Sequence, residues 1–204
     1  METDLANKGV LVTGGGGGIG SALVEAFAGE GAKVAVHYRS SKERAEGLAE
    51  KFGGVALQAD LTVESEADSL IPRAVEALGR LDVVVANAGD WPEAVEPLWE
   101  MSYDRWRRTI AANLDSVFLT CRAFLRHVET TKAGNIVIIS STAGLFGEAD
   151  HSDYAAAKGA LASGFALSLK NEIVRIAPGG RVNVVCPGWT VTEMARGALE
   201  EDPD

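Results

Sequence analysis

Tyr154-Ala-Ala-Ala-Lys158 sets a phenol and an ammonium four residues apart. On a helix that spacing puts both side chains on one face, so the cation can lie beside the hydroxyl. A free tyrosine ionises near pH ~10 and exchanges protons poorly at neutrality. A cation ~4–6 Å away favours the phenolate, which makes Tyr154 a candidate general acid/base. A solvated surface pair at the same spacing is the plain alternative. Ser140 and Ser141 close an apolar run just upstream, with Ser141 preceding Tyr154 by 13 positions. Ser141 is the hydroxyl expected to face the phenol, and Ser140 is the alternative.

A second set of candidates lies near the start of the chain. The run Thr13-Gly-Gly-Gly-Gly-Gly-Ile-Gly20 follows an apolar segment and precedes an amphipathic stretch with Leu23, Val24 and Phe27. Glycines let the backbone approach a phosphate, and a helix start offers free N–H groups and a partial positive charge. Gly15, Gly17 and Gly20 satisfy Gly-x-Gly-x-x-Gly, as such a run does almost automatically. The strand before and the helix after therefore carry the reading of a pyrophosphate cradle, against a flexible turn. About 20 residues on, a dinucleotide fold that prefers NAD places an acid for the ribose 2′-hydroxyl. Here the sequence is His37-Tyr38-Arg39-Ser40-Ser41. A guanidinium can meet two phosphate oxygens at once, so Arg39 with Ser40 points to NADP(H) over NAD(H). Otherwise Arg39 is a surface charge beside Lys42 and Arg44.

Positioning these groups requires a scaffold, and the rest of the chain describes one. Val/Ile-rich runs at residues 9–12, 33–37, 55–58, 82–86, 135–140 and 181–186 read as strands covered on both faces. Stretches of helical spacing separate them, such as Leu161, Phe165, Leu169 and Ile173, ended by Pro178-Gly179-Gly180. Regular alternation of this kind predicts an α/β, doubly wound, Rossmann-like parallel sheet with helices on both sides. Ligands in such sheets bind beyond the carboxyl ends of the strands. No repeat or linker divides the chain, so residues 1–204 read as one NAD(P)-binding domain ending in an acidic tail.

Composition narrows the function classes. Of 204 residues, 47% are hydrophobic and 24% charged, which suits an ordinary globular protein. The net charge of −10 argues against nonspecific binding to nucleic acid or anionic lipid. No run reaches the ~18 apolar residues of a membrane span, and the start lacks a signal-peptide pattern, so a soluble, cytoplasmic protein is expected. Cys121 and Cys186 stand apart with no nearby His, which suggests buried thiols and neither a disulfide framework nor a metal site.

Taken together, Thr13-Gly14-xxx-Gly18-Ile19-Gly20, Asp60-Leu61, Asn87-Ala88-Gly89, Asn113, Ser141, Tyr154-xxx-Lys158 and Pro187-Gly188 followed by Thr192 resemble the short-chain dehydrogenase/reductase family. In texture the chain is nearest to its 3-oxoacyl-carrier-protein reductases and glucose dehydrogenases. The resemblance implies that Tyr154 exchanges a proton with the substrate oxygen and that Ser141 orients that oxygen. Lys158, beside Tyr154, would bind the nicotinamide ribose and lower the Tyr154 pKa, with Asn113 holding a water that links Lys158 to solvent. Asp60 would contact the adenine, Asn87 to Gly89 would border its ribose, and Thr192 would meet the carboxamide. Read from the residues alone, Asp60 could be a turn acid and Asn113 a buried helix polar group.

The resemblance also sets expectations at the end of the chain. Members of the family continue past the position of Thr192 with a substrate-covering helical segment and a seventh strand, so the sheet is expected to hold six strands and the domain to be shortened. Trp91-Pro92, Leu145-Phe146 and Trp189 would border one crevice if they are not core residues, favouring a largely apolar carbonyl or alcohol. His151 reads as a helix-start residue rather than a second proton relay. Residues 102–128 and 152–177 resemble the long helices that the family pairs into dimers, so a homo-oligomer, dimer or tetramer, is expected. A nucleotide-binding or partner-interaction protein with weak or lost catalysis is the competing reading.

Overall fold

The computed structural model describes residues 3–192. Six strands form one parallel sheet: β1 (Gly9–Val12), β2 (Lys33–Tyr38), β3 (Val55–Gln58), β4 (Val83–Ala86), β5 (Asn135–Ile139) and β6 (Arg181–Val185), in the order β3-β2-β1-β4-β5-β6. The order reverses between β1 and β4. The loops that leave those two strands therefore open side by side at the switch point.

Each strand alternates its side chains between two cores. Leu11, Ala35, Leu57, Val84, Ile136 and Ile138 face one core with α3 (Glu64–Leu78), α5 (Ser116–Thr131) and α8 (Ala166–Ile176). Val10, Val12, Val34, Val36, Val83 and Val85 face the other, under α1 (Gly18–Gly29) and α2 (Lys42–Phe52). Burial on both sides explains why the central strands β1 and β4 are continuously apolar, whereas the edge strand β6 exposes Arg181 and Asn183. Asp82 falls just outside β4. Its carboxylate turns back to accept the Gly9 N–H at 2.9 Å and to pair with Arg80, a better use for a charge than a ladder position between two cores. The six parallel strands and two-faced helices are the doubly wound Rossmann-like fold expected from the sequence.

The two long helical stretches each contain a break that their periodicity does not show. α4 (Tyr103–Ile110) runs through a π turn at Ala111–Asp115 into α5, and α7 (Ser152–Ala160) runs through a second at Leu161–Phe165 into α8. A π turn accommodates one extra residue and re-aims the side chains around it. The first contains Asn113. The short α6 (Ala143–Phe146) crosses α7 closely, because Gly144 and Gly159 bring the two backbones together.

Candidate active site

The glycine loop is held by its neighbours on both flanks. The Thr13 hydroxyl donates to Val85 O (3.3 Å) and accepts from the backbone N–H groups of Asn87 and Ala88 (both 2.9 Å). The Asn87 amide donates to the Thr13 and Gly14 carbonyls. Gly14 has φ +62°, and a Cβ there would press on Ala88 Cα at 3.0 Å, so only glycine fits. On the other flank, His37 Nδ1 accepts the Gly14 N–H and Nε2–H donates to Ala59 O, each at 3.0 Å. Those partners fix one neutral tautomer. Burial drives the His37 pKa down to about 4, with the Arg73 charge adding to the fall while the Ala59 hydrogen bond and Asp60 oppose it. In the sequence, the only signal at His37 is a polar ring near the end of a Val-rich strand.

α1 starts at Gly18 with Gly17 as its N-cap and no side-chain cap, which leaves its first N–H groups open. A cleft of 270 Å³ runs past this helix start. At one end it is bordered by Arg39, Ser40, Asp60 and Leu61, in the middle by Gly14, Ile19 and Gly20, and at the other by Asn113, Tyr154 and Lys158. An elongated cleft with a bare, amide-rich midpoint fits a dinucleotide whose diphosphate lies over the helix start. Arg39 and Ser40 are exposed at the rim. The Asp60 carboxylate accepts from Thr62 N–H (2.9 Å) and Thr62 O–H (2.7 Å), and those bonds hold its pKa below the usual carboxylate range. Asp60 is thus a turn acid that also lines the cleft.

At the far end, the Ser141 hydroxyl accepts the Ala143 N–H and acts on the Tyr154 hydroxyl, whose pKa it lowers. Ser140 is buried and donates to Lys158 O at 2.7 Å, so it serves the backbone and Ser141 faces the site. Lys158 Nζ donates to Ile139 O at 3.1 Å and lies 5.6 Å from the centre of the Tyr154 ring. The pair does meet on one face of α7. The expected depression of the phenol is not found. Burial raises the Tyr154 pKa, the Ser141 bond opposes it, and the charges of Glu148 and Asp90 raise it further. Burial also brings Lys158 down to about 8. The low-dielectric pocket favours both neutral forms, and that outweighs the nearby cation.

A Cβ at Gly89 would press on Asn113 Oδ1 at 2.7 Å and Lys158 Nζ at 3.1 Å. The Asn113 side chain accepts from Asp90 N–H (3.1 Å) and donates to Asp90 O (2.8 Å) and Thr109 O (3.1 Å). With those bonds made, its side chain secures the loop after β4. Pro187, Gly188 and Thr192 complete the rim, with Thr192 packed over Gly18.

Two buried charges beneath Tyr154 had no signal in the sequence. Arg105 donates to Asp153 Oδ2 (3.1 Å), Ala94 O (2.6 Å), Glu96 (3.1 Å) and Asp150 O (3.2 Å), while Thr109 also donates to Asp153 (2.7 Å). Burial pushes the Asp153 carboxyl up, and the bonds from Thr109 and Arg105 outweigh it, holding it below the usual range. This network ties the start of α7 to α4 and to the 94–96 loop.

A second cavity of 230 Å³ opens from the cleft, and Ile19, Trp91, Ser140, Tyr154 and Thr192 line both. Trp91, Phe146 and Trp189 form its aromatic wall, whereas Leu145 and Pro92 lie outside its lining. Leu145 points to solvent, and Pro92 contributes its carbonyl to His151 Nε2 at 2.8 Å. His151 precedes α7 with its ring buried against Trp91, a helix-start residue as expected. Among the described residues no cluster of His, Cys, Asp or Glu could hold a metal, and no helix is long and apolar enough to cross a membrane. Cys121 is buried, its thiol pushed up to about 12, and Cys186 is partly buried.

Comparison with known proteins places this crevice in a family. The sequence pattern described as short chain dehydrogenase matches residues 8–203. The 3-oxoacyl-(acyl-carrier-protein) reductase of Chlamydia muridarum is 34% identical over 97% of this chain and 79% of its own length. That of Escherichia coli K12 is 35% identical over 94% and 77%. Among solved structures, levodione reductase superposes with a TM-score of 0.88 at 27% identity, covering 98% of this chain and 78% of that one. NAD+-bound xylitol dehydrogenase gives 0.84 at 28%, covering 92% and 72%. The chain therefore belongs to the short-chain dehydrogenase/reductase family and is an NAD(P)-dependent oxidoreductase acting on carbonyl or alcohol groups.

Proposed function

We propose that this protein is an NADP(H)-dependent carbonyl reductase in which Tyr154 is the general acid/base. The observation that carries the reading is Tyr154, which lines both cavities where they join, with the Ser141 hydroxyl lowering its pKa against the effect of burial. Bound along the cleft, the nicotinamide cofactor would supply the hydride. The chain does the rest. Ser141 and Tyr154 donate hydrogen bonds to the substrate oxygen, stabilising the negative charge that develops there as the carbonyl is reduced. Tyr154 then transfers its proton to that oxygen and is reprotonated from solvent, giving the alcohol. A raised pKa keeps the phenol protonated at neutrality, as a proton donor requires. Lys158 and Asn113 border the end where the nicotinamide ribose would lie, and Thr13, Asn87 and His37 keep the cradle in shape.

Preference for NADP(H) rests on Arg39 and Ser40 at the exposed rim where a 2′-phosphate would sit, with no acid at the end of β2. A homo-oligomer is supported by apolar side chains exposed on the long helices, Tyr103, Phe118, Leu167 and Val174, and a light-scattering mass tests it. Initial rates with a reactive ketone and either NADPH or NADH test the function. Faster turnover with NADPH is expected, with Arg39→Asp shifting the preference toward NADH. Equal use of both by the wild type, or an unchanged preference in the variant, would contradict the assignment.

A further inference from the structure

The second cavity carries information about charge as well as apolarity. Its aromatic wall is interrupted by one carboxylate, Glu148. The Trp91 indole N–H donates to Glu148 Oε1 at 3.0 Å, and His151 Nδ1 lies 3.6 Å from the same oxygen. Trp91 is fixed in turn, stacked on the His151 ring at 4.7 Å and meeting Trp189 edge-on at 5.7 Å. Glu148 is therefore a positioned wall residue with only 23% of its side chain exposed. Among the described lining residues the cavity contains no Lys, Arg or His. Lys158 lies on the cofactor side, where its ammonium is bonded to Ile139 O. Asp90 borders the first cavity, and both it and Glu148 act on the Tyr154 hydroxyl in the same sense.

We propose that Glu148, clamped by Trp91 and His151, is a specificity-determining residue that makes this cavity select neutral or cationic aromatic carbonyl compounds and reject anionic ones. The inference builds on the carbonyl-reductase reading above and adds the charge class of its substrate. A substrate carboxylate or phosphate entering the wall would lose its hydration, find no cation among the described lining residues, and face a like charge at short range. A cation would meet the reverse, because tryptophan faces and a carboxylate together attract ammonium groups. An uncharged ring would gain the apolar contacts and be indifferent to the carboxylate.

Three aryl methyl ketones of similar size, with a para carboxylate, its methyl ester or a trimethylammonium group, test this. With saturating NADPH, the wild type should reduce the ester with kcat/KM roughly tenfold or more above the carboxylate, with the ammonium compound at or above the ester. In Glu148→Gln the ester-to-carboxylate ratio should fall by about threefold or more, and in Glu148→Lys the order should invert. NADPH affinity, measured by fluorescence titration of each variant, shows whether the cofactor cleft is intact. Equal kcat/KM for carboxylate and ester in the wild type, or a ratio unmoved in both variants with NADPH binding preserved, would overturn the proposal. If no ketone is reduced, quenching of tryptophan fluorescence by the same compounds on the NADP-loaded protein reports their order of binding. An ester preference that Glu148→Gln weakens would uphold the pocket inference while the reductase reading falls, and the absence of any order would sink the inference.

Discussion

On the cofactor side of the crevice, the buried polar side chains have partners before any ligand arrives. Thr13 and His37 are 1% and 2% exposed, and each holds a glycine-loop or switch-point backbone group in place. On the substrate side, Phe146 and Trp189 are 85% and 61% exposed, and the wall is made of aromatic rings on the segments that follow β4, β5 and β6. A rigid cradle can serve one invariant ligand, whereas a wall of exposed side chains on loops can change its substrate without disturbing the fold. Tyr154 belongs to both sides. Its helix is anchored from below by Arg105 and Asp153, and its hydroxyl opens onto the wall.

If that contrast is right, changes to the buried side cost stability and changes to the wall cost substrate binding. The largest effect is expected from Arg105→Ala, which leaves the fully buried Asp153 carboxylate without its cation. Breaking such a pair costs about 3–5 kcal/mol, enough to lower Tm by on the order of 10 °C in a chain of this size. A thermal melt showing no shift would break the comparison at its strongest point.

Acid is the next probe. His37 binds a proton near pH 6.5 when unfolded and only near about 4 when folded. Between those values the unfolded chain holds more protons, so stability falls as pH drops through this window and is fully retained above it. The loss amounts to about 3 kcal/mol below the lower value. Urea midpoints at several pH values, taken as the difference between wild type and His37→Asn, isolate this contribution from the carboxylates. Identical pH slopes in the two proteins would refute it.

The same residue sharpens the contrast at neutral pH. His37→Leu strands the Gly14 N–H and should cost about 1–3 kcal/mol while weakening NADPH binding several-fold. His37→Asn, which can both accept and donate, should recover part of each. On the wall, Trp189→Ala should move stability by less than about 0.5 kcal/mol. Its effect should be confined to KM for an aromatic ketone, read from initial rates with NADPH affinity unchanged.

What the sequence disclosed follows from how local each signal is. Val/Ile-rich runs located all six strands to within a residue, because burial on both faces keeps the central strands apolar and the outer ones keep enough of the pattern, as in β6 with exposed Arg181 and Asn183. The glycine run and the Tyr154/Lys158 spacing are local patterns, and the structure brings both to the crevice. The Arg105–Asp153 pair spans 48 positions and the His37–Gly14 bond spans 23, and neither residue type at its position announces its partner. The π turns escaped because an extra residue in a helix leaves the apolar spacing of Leu161, Phe165, Leu169 and Ile173 almost unchanged. The direction of the Tyr154 shift is not legible in the sequence for a different reason. The spacing shows the cation but not the depth of burial that outweighs it.

The central claim is that the Tyr154 hydroxyl delivers the proton. Its most direct test is the Tyr154→Phe protein, assayed for ketone-dependent loss of NADPH absorbance and, separately, for NADPH binding. Loss of at least about 100-fold in kcat/KM with cofactor binding retained is the predicted result. Turnover within about threefold of wild type would contradict the account.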